Sequence, residues 1–159
     1  MNMEKEKITV SFFAHRDVTE EETARFEAKL DDILAQFFCC GRDVDFLIGK
    51  NGNFDLYVAS RIRLAKKRYG LETCALCLVM PDVTAELRKK GLSMYDDYDE
   101  VLICGEAAEG HYKSAYQTRN KRMVDRSDYV ICYINHPSGG AQTTIEYALR
   151  KGKKVINLL

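Results

Sequence analysis

Pro137-Ser138-Gly139-Gly140-Ala141-Gln142-Thr143-Thr144-Ile145-Glu146 decides how this chain reads. The stretch follows an apolar run, Tyr129–Ile134, and leads into a helical pattern from about Thr143 to Lys151. It is therefore a strand, a glycine turn and a helix. Adjacent glycines reach positive φ cheaply and let backbone amides approach a ligand that a Cβ would hold away. The helix start adds unpaired N–H groups and the positive end of the helix dipole. Such a terminus is suited to phosphate or another anion. An isolated Gly-Gly before a helix is more often a plain surface turn, so the weight rests on the rest of the chain.

Five further β-rich runs accompany Tyr129–Ile134: Ile8–Phe13, Val44–Ile48, Thr73–Met80, Val101–Cys104 and Val155–Leu159. Most are continuously apolar rather than alternating, as strands buried on both faces of a parallel sheet are. Helical patterns separate them. Thr19 and Glu22 form a capping box, and behind it Phe26, Leu30, Ile33, Leu34 and Phe37 make one apolar stripe. A second helix is predicted from about Phe54 to Tyr69, burying Val58, Ile62, Ala65 and Tyr69, with Lys66, Lys67 and Arg68 in its last turn and Gly70 as its left-handed stop. A short helix is predicted over Thr84–Lys90 and a longer one over His111–Arg126. Strand and helix alternate throughout. That predicts an α/β fold, Rossmann-like and doubly wound, with a mainly parallel sheet of about six strands and helices on both faces. With no repeat, linker or low-complexity segment, residues 1–159 read as one domain.

The 24 basic and 24 acidic residues cancel. Zero net charge weighs against a general nucleic-acid coat or an anionic-membrane binder, so neither nucleic acid nor a membrane is expected as a partner. No apolar stretch reaches bilayer length, and Met1–Lys7 alternates charges without the apolar core of a signal peptide, which predicts a cytoplasmic protein. Of the six cysteines, Cys74, Cys77, Cys104 and Cys132 fall within apolar strand-like runs and read as small core hydrophobes. Cys74 and Cys77 have C-x-x-C spacing, but three residues apart on a strand puts them on opposite faces. Cys39 and Cys40 read as structural residues at the end of the first helix. No metal site and no cofactor is implied.

In sheets of this kind ligands bind beyond the carboxyl ends of the strands. Strand one is followed by Ala14-His15-Arg16-Asp17, strand two by Gly49-Lys50-Asn51-Gly52-Asn53-Phe54-Asp55, and strand five by the Ser138-Gly139-Gly140 turn. The predicted topology puts all three on one rim. The first loop has no glycine, so the G-x-G-x-x-G fingerprint is absent, and the Walker pattern is absent too; both weigh against the familiar NAD and P-loop modes.

Thr9–Arg16, the Gly49, Gly52 and Asp55 loop, and Arg119–Asp128 leading to Ser138-Gly139-Gly140 together resemble the SLOG superfamily. Within it the nearest likeness is to the YpsA-like bacterial proteins of unknown function. The superfamily also holds the LOG-type nucleotide phosphoribohydrolases and the single-strand DNA-binding DprA proteins. The resemblance implies a Rossmann-like sheet and a nucleotide or nucleotide-derived ligand. LOG enzymes carry P-G-G-x-G-T-x-x-E; here Ser138, Gly139, Gly140, Thr143 and Glu146 take matching places, while Gln142 replaces the third glycine. The Arg-Lys of those enzymes corresponds to Arg119-Asn120, so the lysine is missing, and Ala14 stands where relatives have the glycine of G-H-R.

The resemblance thus implies Arg119 and Glu146 as catalytic residues, with His15, Arg16, Gly49, Gly52, Asp55, Ser138, Gly139, Gly140, Thr143 and Thr144 binding the ligand. A carboxylate beside a ribose would stabilise charge developing as an N-glycosidic bond breaks, and an arginine would grip phosphate in a two-point contact. Each residue also has a plainer reading. Glu146 sits in a first helical turn, where acids suit the dipole. Arg119, Lys121, Arg122 and Arg126 fit a solvated helix face. His15 is a satisfied edge histidine, a titrating group or a stacking group. Asp55 caps its helix, binds a ribose hydroxyl, or both. Tyr112 and Tyr116 are read as core. The expected function is binding of a nucleotide-derived ligand at the rim, with or without hydrolysis of a nucleoside monophosphate. The alternatives are a non-catalytic sensor acting through a protein partner, and single-strand DNA binding as in DprA. LOG-type enzymes pair subunits, so the resemblance also implies a homodimer.

Overall fold

The computed structural model describes residues 7–70, 72–82, 85–104 and 112–159. Met1–Glu6, Thr84, His111 and the side chain of Tyr112, which carry some of the expectations above, lie outside that description. The strands are β1 (Ile8–Ala14), β2 (Val44–Ile48), β3 (Cys74–Met80), β4 (Glu100–Ile103), β5 (Tyr129–Tyr133) and β6 (Lys154–Asn157). Between them run α1 (Glu20–Phe38), α2 (Asn53–Tyr69), α3 (Ala85–Lys90), α4 (Tyr112–Arg126) and α5 (Gly140–Arg150). A 3-10 turn at Leu92–Tyr95, unmarked in the sequence pattern, follows α3.

All strand pairs are parallel, in the order β4-β3-β2-β1-β5-β6. The expected doubly wound, Rossmann-like sheet is therefore present. Its order progresses outward from β1 in one direction and from β5 in the other. The reversal at the β1/β5 junction is the topological switch point, where the flanking loops part and leave a crevice.

Two apolar layers cover the sheet. On one side Val10 and Phe12 of β1, Leu76 and Leu78 of β3 and Ile131 of β5 pack with Phe26, Leu30 and Leu34 of α1 and Val58 and Ile62 of α2. On the other, Phe13, Leu47, Cys77, Val79, Val130 and Cys132 pack with Met123 and Val124 of α4 and Ile145 and Ala148 of α5. The continuous apolar strand runs thus still divide with a period of two. Cys74 belongs to the first layer and Cys77 to the second, so the C-x-x-C spacing spans the sheet instead of forming a pair. All six cysteines are free, and no group of three metal-ligating side chains occurs among the described residues.

The helix signals act where the sequence places them. Glu22 N–H donates to Thr19 Oγ1 and Thr19 N–H to Glu22 Oε1, both at 3.2 Å, closing the capping box of α1. Gly70, at φ 63°, ends α2 and donates to Lys66 O at 2.8 Å. α5 starts at Gly140, three residues ahead of the predicted Thr143, so the glycine turn itself forms the first helical turn.

Segment 125–128 closes α4 against the sheet. The Ser127 hydroxyl donates to Met123 O at 2.6 Å and hydrogen-bonds Ser11 of β1, while Asp128 Oδ2 accepts from Thr9 N–H at 2.9 Å. The buried Ser127 contacts and the Asp128 bond at the surface fix the rotation of α4 and hence the direction in which Arg119 points.

Candidate functional site

A cleft of about 520 Å³ opens at the β1/β5 switch point. β1 and its loop supply Phe12–Asp17, the β2–α2 connection supplies Asn51, Gly52, Phe54 and Asp55, and α4 supplies Tyr116, Gln117, Arg119 and Asn120. His136, Gly139, Gly140 and Ala141 complete it from the β5–α5 side. The three strand-end loops do meet on one rim.

Arg119 is the central cation. Only 5% of it is exposed, whereas Lys121, Arg122 and Arg126 on the same helix are exposed. The solvated-face reading therefore fails for Arg119 and suits the other three. Its Nε and Nη2 donate to Asn120 Oδ1 at 3.1 and 2.8 Å, and its guanidinium carbon lies 5.0 Å from the centre of the Tyr116 ring. Tyr116, expected in the core, thus faces the cleft as a platform for the arginine. Burial lowers the arginine's proton affinity, and the charge of Asp55 works against that loss. Asp55 is pushed the opposite way: burial raises its pKa, while the Asn51 N–H and Arg119 draw it back down. Its Oδ2 accepts from Asn51 N–H at 3.0 Å, so it closes the loop ahead of α2 and still borders the cleft.

The glycines of the second loop act through packing. A Cβ at Gly49 would stand 2.5 Å from Arg119 Nη1, so Gly49 leaves the space the guanidinium occupies. A Cβ at Gly52 would meet the Cα and O of Arg16 at 3.2 Å, so Gly52 lets the first and second loops touch. Arg16 reinforces that contact, its Nη2 donating to Asn51 Oδ1 at 3.2 Å.

The β5–α5 turn presents amides. Gly139 is the N-cap of α5 at φ 100°, a conformation that favours glycine, and it offers no side-chain cap. Among the described residues, no atom beyond its own turn lies within 4 Å of where a Cβ on Gly140 would be. The helix start is therefore uncapped and open towards the cleft. Asn120 Nδ2 donates to Thr144 Oγ1 at 3.1 Å, joining the Arg119 turn of α4 to the first turn of α5. Thr144 is buried, its hydroxyl donating to Gly140 O at 3.0 Å, and Thr143 donates likewise to Gly139 O at 3.2 Å. Both threonines thus brace the turn from outside the cleft lining, as does Ser138, whose Oγ lies 3.2 Å from His136 Nδ1.

Glu146 is not brought to Arg119. It is exposed, lies outside the cleft, and its Oε1 accepts from Gln142 Nε2 at 3.3 Å. Six positions after Gly140, it falls on the outer surface of α5, while Ala141, Thr144, Ile145 and Ala148 turn inward.

Sequence reasoning passed over His136, which stacks on His15 with ring centroids 3.5 Å apart and planes 15° apart. A signal was present, because His136 follows strand five directly, where the carboxyl-end rule gathers functional polar groups. Its placement is built from two sides. Asn157 of β6 binds Ile134 N–H at 3.2 Å and Ile134 O at 3.1 Å, and Asn135 Nδ2 donates to Glu22 at 3.0 Å. His15 Nε2 is buried with no hydrogen-bond partner among the described residues.

No family model and no curated protein matches the sequence. Solved structures do. The chain superposes with a TM-score of 0.62 over 93% of its length on DNA processing protein A (DprA) from Streptococcus pneumoniae, at 19% identity. The chain shares the fold of part of DprA. A second DprA, from Helicobacter pylori, matches with the same TM-score over 93% of this chain at 14% identity. The chain spans 49% and 63% of those two DprA chains.

The Helicobacter pylori DprA structure concerns its binding of single-stranded DNA. That corrects the expectation that zero net charge sets nucleic acid aside as a partner. Zero net charge is a weak argument here, because phosphate responds to local donors more than to the summed charge of a chain. No helix among the described residues is long and apolar enough to cross a membrane.

Proposed function

We propose that the cleft binds a nucleotide through its phosphate and does so as a binding site, not a hydrolase. One observation carries the reading: the buried Arg119 guanidinium and the uncapped start of α5 border the same cleft, tied by the Asn120–Thr144 hydrogen bond. Arginine supplies a planar fork of donors and the helix start supplies aligned amides, a combination suited to phosphate. The half-exposed rings of Tyr116 and His15 and the exposed ring of His136 line the same cleft, where a base can reach them. Hydrolysis would call for a carboxylate at the ribose; the expected one, Glu146, lies outside the cleft, and Asp55, which lines it, is engaged by Asn51 N–H in closing its own loop. A protein with this arrangement works as a sensor or carrier of the nucleotide.

Calorimetry with a panel of nucleoside 5′-monophosphates tests this, comparing wild type with Gly140→Asp. The space beside Gly140 admits the new side chain, so the fold is kept while a carboxylate occupies the anion position. Wild type binds and the variant does not; equal affinity in both overturns the reading.

A second reading, single-stranded DNA as the ligand, is favoured by the likeness to the Helicobacter pylori protein. Both readings use the same phosphate donors. Oligonucleotides added to the same calorimetric series separate them: a strand that binds far more tightly than any mononucleotide identifies DNA as the physiological ligand.

A further inference from the structure

The mutual stacking of His15 and His136 places two titratable rings, 3.5 Å apart, at the mouth of the proposed phosphate site. The His15 ring lies over the start of α5, its Nδ1 3.7 Å from where a Cβ on Gly139 would stand. Its Nε2 is buried without a partner among the described residues, and His136 is held at Nδ1 by Ser138. Two imidazolium ions cannot share this geometry cheaply without an anion between or beside them. Burial and the charge of the neighbouring His136 also lower the proton affinity of His15, against a hydrogen bond to the His136 backbone that raises it. Among the described residues the opposing charges are few. Asp17 in the same loop and Glu22 of α1 favour the proton on His15, but Glu22 is already engaged by Asn135 and Tyr133. Asp55 of α2 faces Arg119 of α4 on the far wall, and Arg16 is bound to Asn51.

Without ligand the cleft therefore holds a histidine stack that disfavours added positive charge, beside an anion site. A dianion arriving there reverses the balance and stabilises a proton on the stack. A phosphodiester in a nucleic-acid backbone carries a single charge that does not titrate near neutrality. A phosphate monoester carries up to two, with its second pKa near about 6. We propose that the His15–His136 stack makes the cleft selective for a phosphate monoester, taking up a proton as the dianion docks. This rests on the phosphate-binding reading above and specifies its ligand. The monoester has two sources, a free nucleoside 5′-phosphate or the 5′-phosphorylated end of a single strand.

The test is calorimetry of the whole chain with a nucleoside 5′-monophosphate, a dinucleoside monophosphate bearing only an internal diester, and an oligothymidylate with and without a 5′-phosphate. Running each in two buffers of different ionisation enthalpy counts protons taken up. Monoester affinity rises as pH falls from about 8 to about 6.5, by at most about tenfold per pH unit for one linked proton, and falls again as the phosphate itself protonates. Proton uptake accompanies monoester binding and is absent with the internal diester. His136→Gln, at an exposed position, retains weaker monoester binding but loses the uptake; His15→Gln is the second variant. Preference for the phosphorylated oligothymidylate over the mononucleotide identifies a strand end, and the reverse a free nucleotide. Monoester binding without proton uptake, uptake retained in both variants, or equal affinity for the diester overturns the selectivity alone. No binding of any phosphate ligand overturns it together with the phosphate-binding reading.

Discussion

A Cβ on Gly49 would come within 2.5 Å of Nη1 of Arg119. The glycine is thus the floor beneath the guanidinium, and its missing side chain is what allows a buried arginine at the cleft. Gly49→Ala forces Arg119 from its seat on Tyr116 and Asn120. Overpacking of this kind costs about 1–3 kcal/mol of stability, eased to the lower end where a side chain can yield. Nucleotide affinity falls by about tenfold or more, because a charge-assisted contact is lost. Thermal melts and calorimetry on the same preparations check it; unchanged affinity would show that Arg119 does not touch the ligand.

Gly140→Asp separates ligand binding from folding. A carboxylate in the first turn of a helix improves stability by about 0.3–1 kcal/mol, and the open space beside Gly140 accepts it. The melting temperature holds or rises while nucleotide binding disappears. A variant that melts earlier in step with its lost affinity would point to damage of the fold instead.

Glu146→Gln distinguishes the binding reading from a hydrolytic one. The carboxylate is exposed and, among the described residues, is bonded along its own helix by Gln142, so affinity for nucleotide is expected to stay within about twofold. Chromatography of bases released from nucleoside monophosphates is expected to show none from either protein. Base release by wild type that the substitution abolishes would restore the hydrolase.

Thiol reactivity follows burial. Cys39 and Cys40 are exposed, whereas burial pushes the thiols of Cys77 and Cys132 up to about 12. A disulfide reagent at neutral pH modifies the first two quickly and the other two only as the protein unfolds. Mass mapping of early adducts on Cys77 or Cys132 would contradict this placement.

The homodimer expected from the SLOG resemblance gives a simple measurement. Light scattering at micromolar concentration is expected to return about twice the chain mass of 18.2 kDa. A single-chain mass across the concentration range removes it.

Much of the fold was legible because its signals are local. The continuously apolar strands, the Thr19–Glu22 capping box and the Gly70 stop each act within a few residues, and each forms where its sequence predicts. The expected grouping of strand-end loops was also legible, since parallel topology alone sends the chain after β1, β2 and β5 to one rim. The individual roles were less so. Gly49 and Gly52 were expected at the ligand; Gly52 does line the cleft, but what the sequence did not show is that one makes room for Arg119 and the other for the backbone of Arg16. Contacts separated by 70 and 36 positions leave no periodic trace in either loop.

The sequence by itself determined a parallel α/β sheet with an amide-rich turn before its last helix, since period, capping and turn chemistry are properties of neighbouring residues. Only the tertiary structure decided which polar groups share the cleft. The rotation of α4, set by Ser127 and Asp128 against β1, turned Arg119 inward and left Lys121 and Arg126 outside. The rotation of α5 carried Glu146 to solvent, and the reversal of strand order between β1 and β5 laid His136 on His15 across 121 positions of chain. Orientation about a helix axis and proximity across a sheet come from packing, and packing is settled by the whole chain at once.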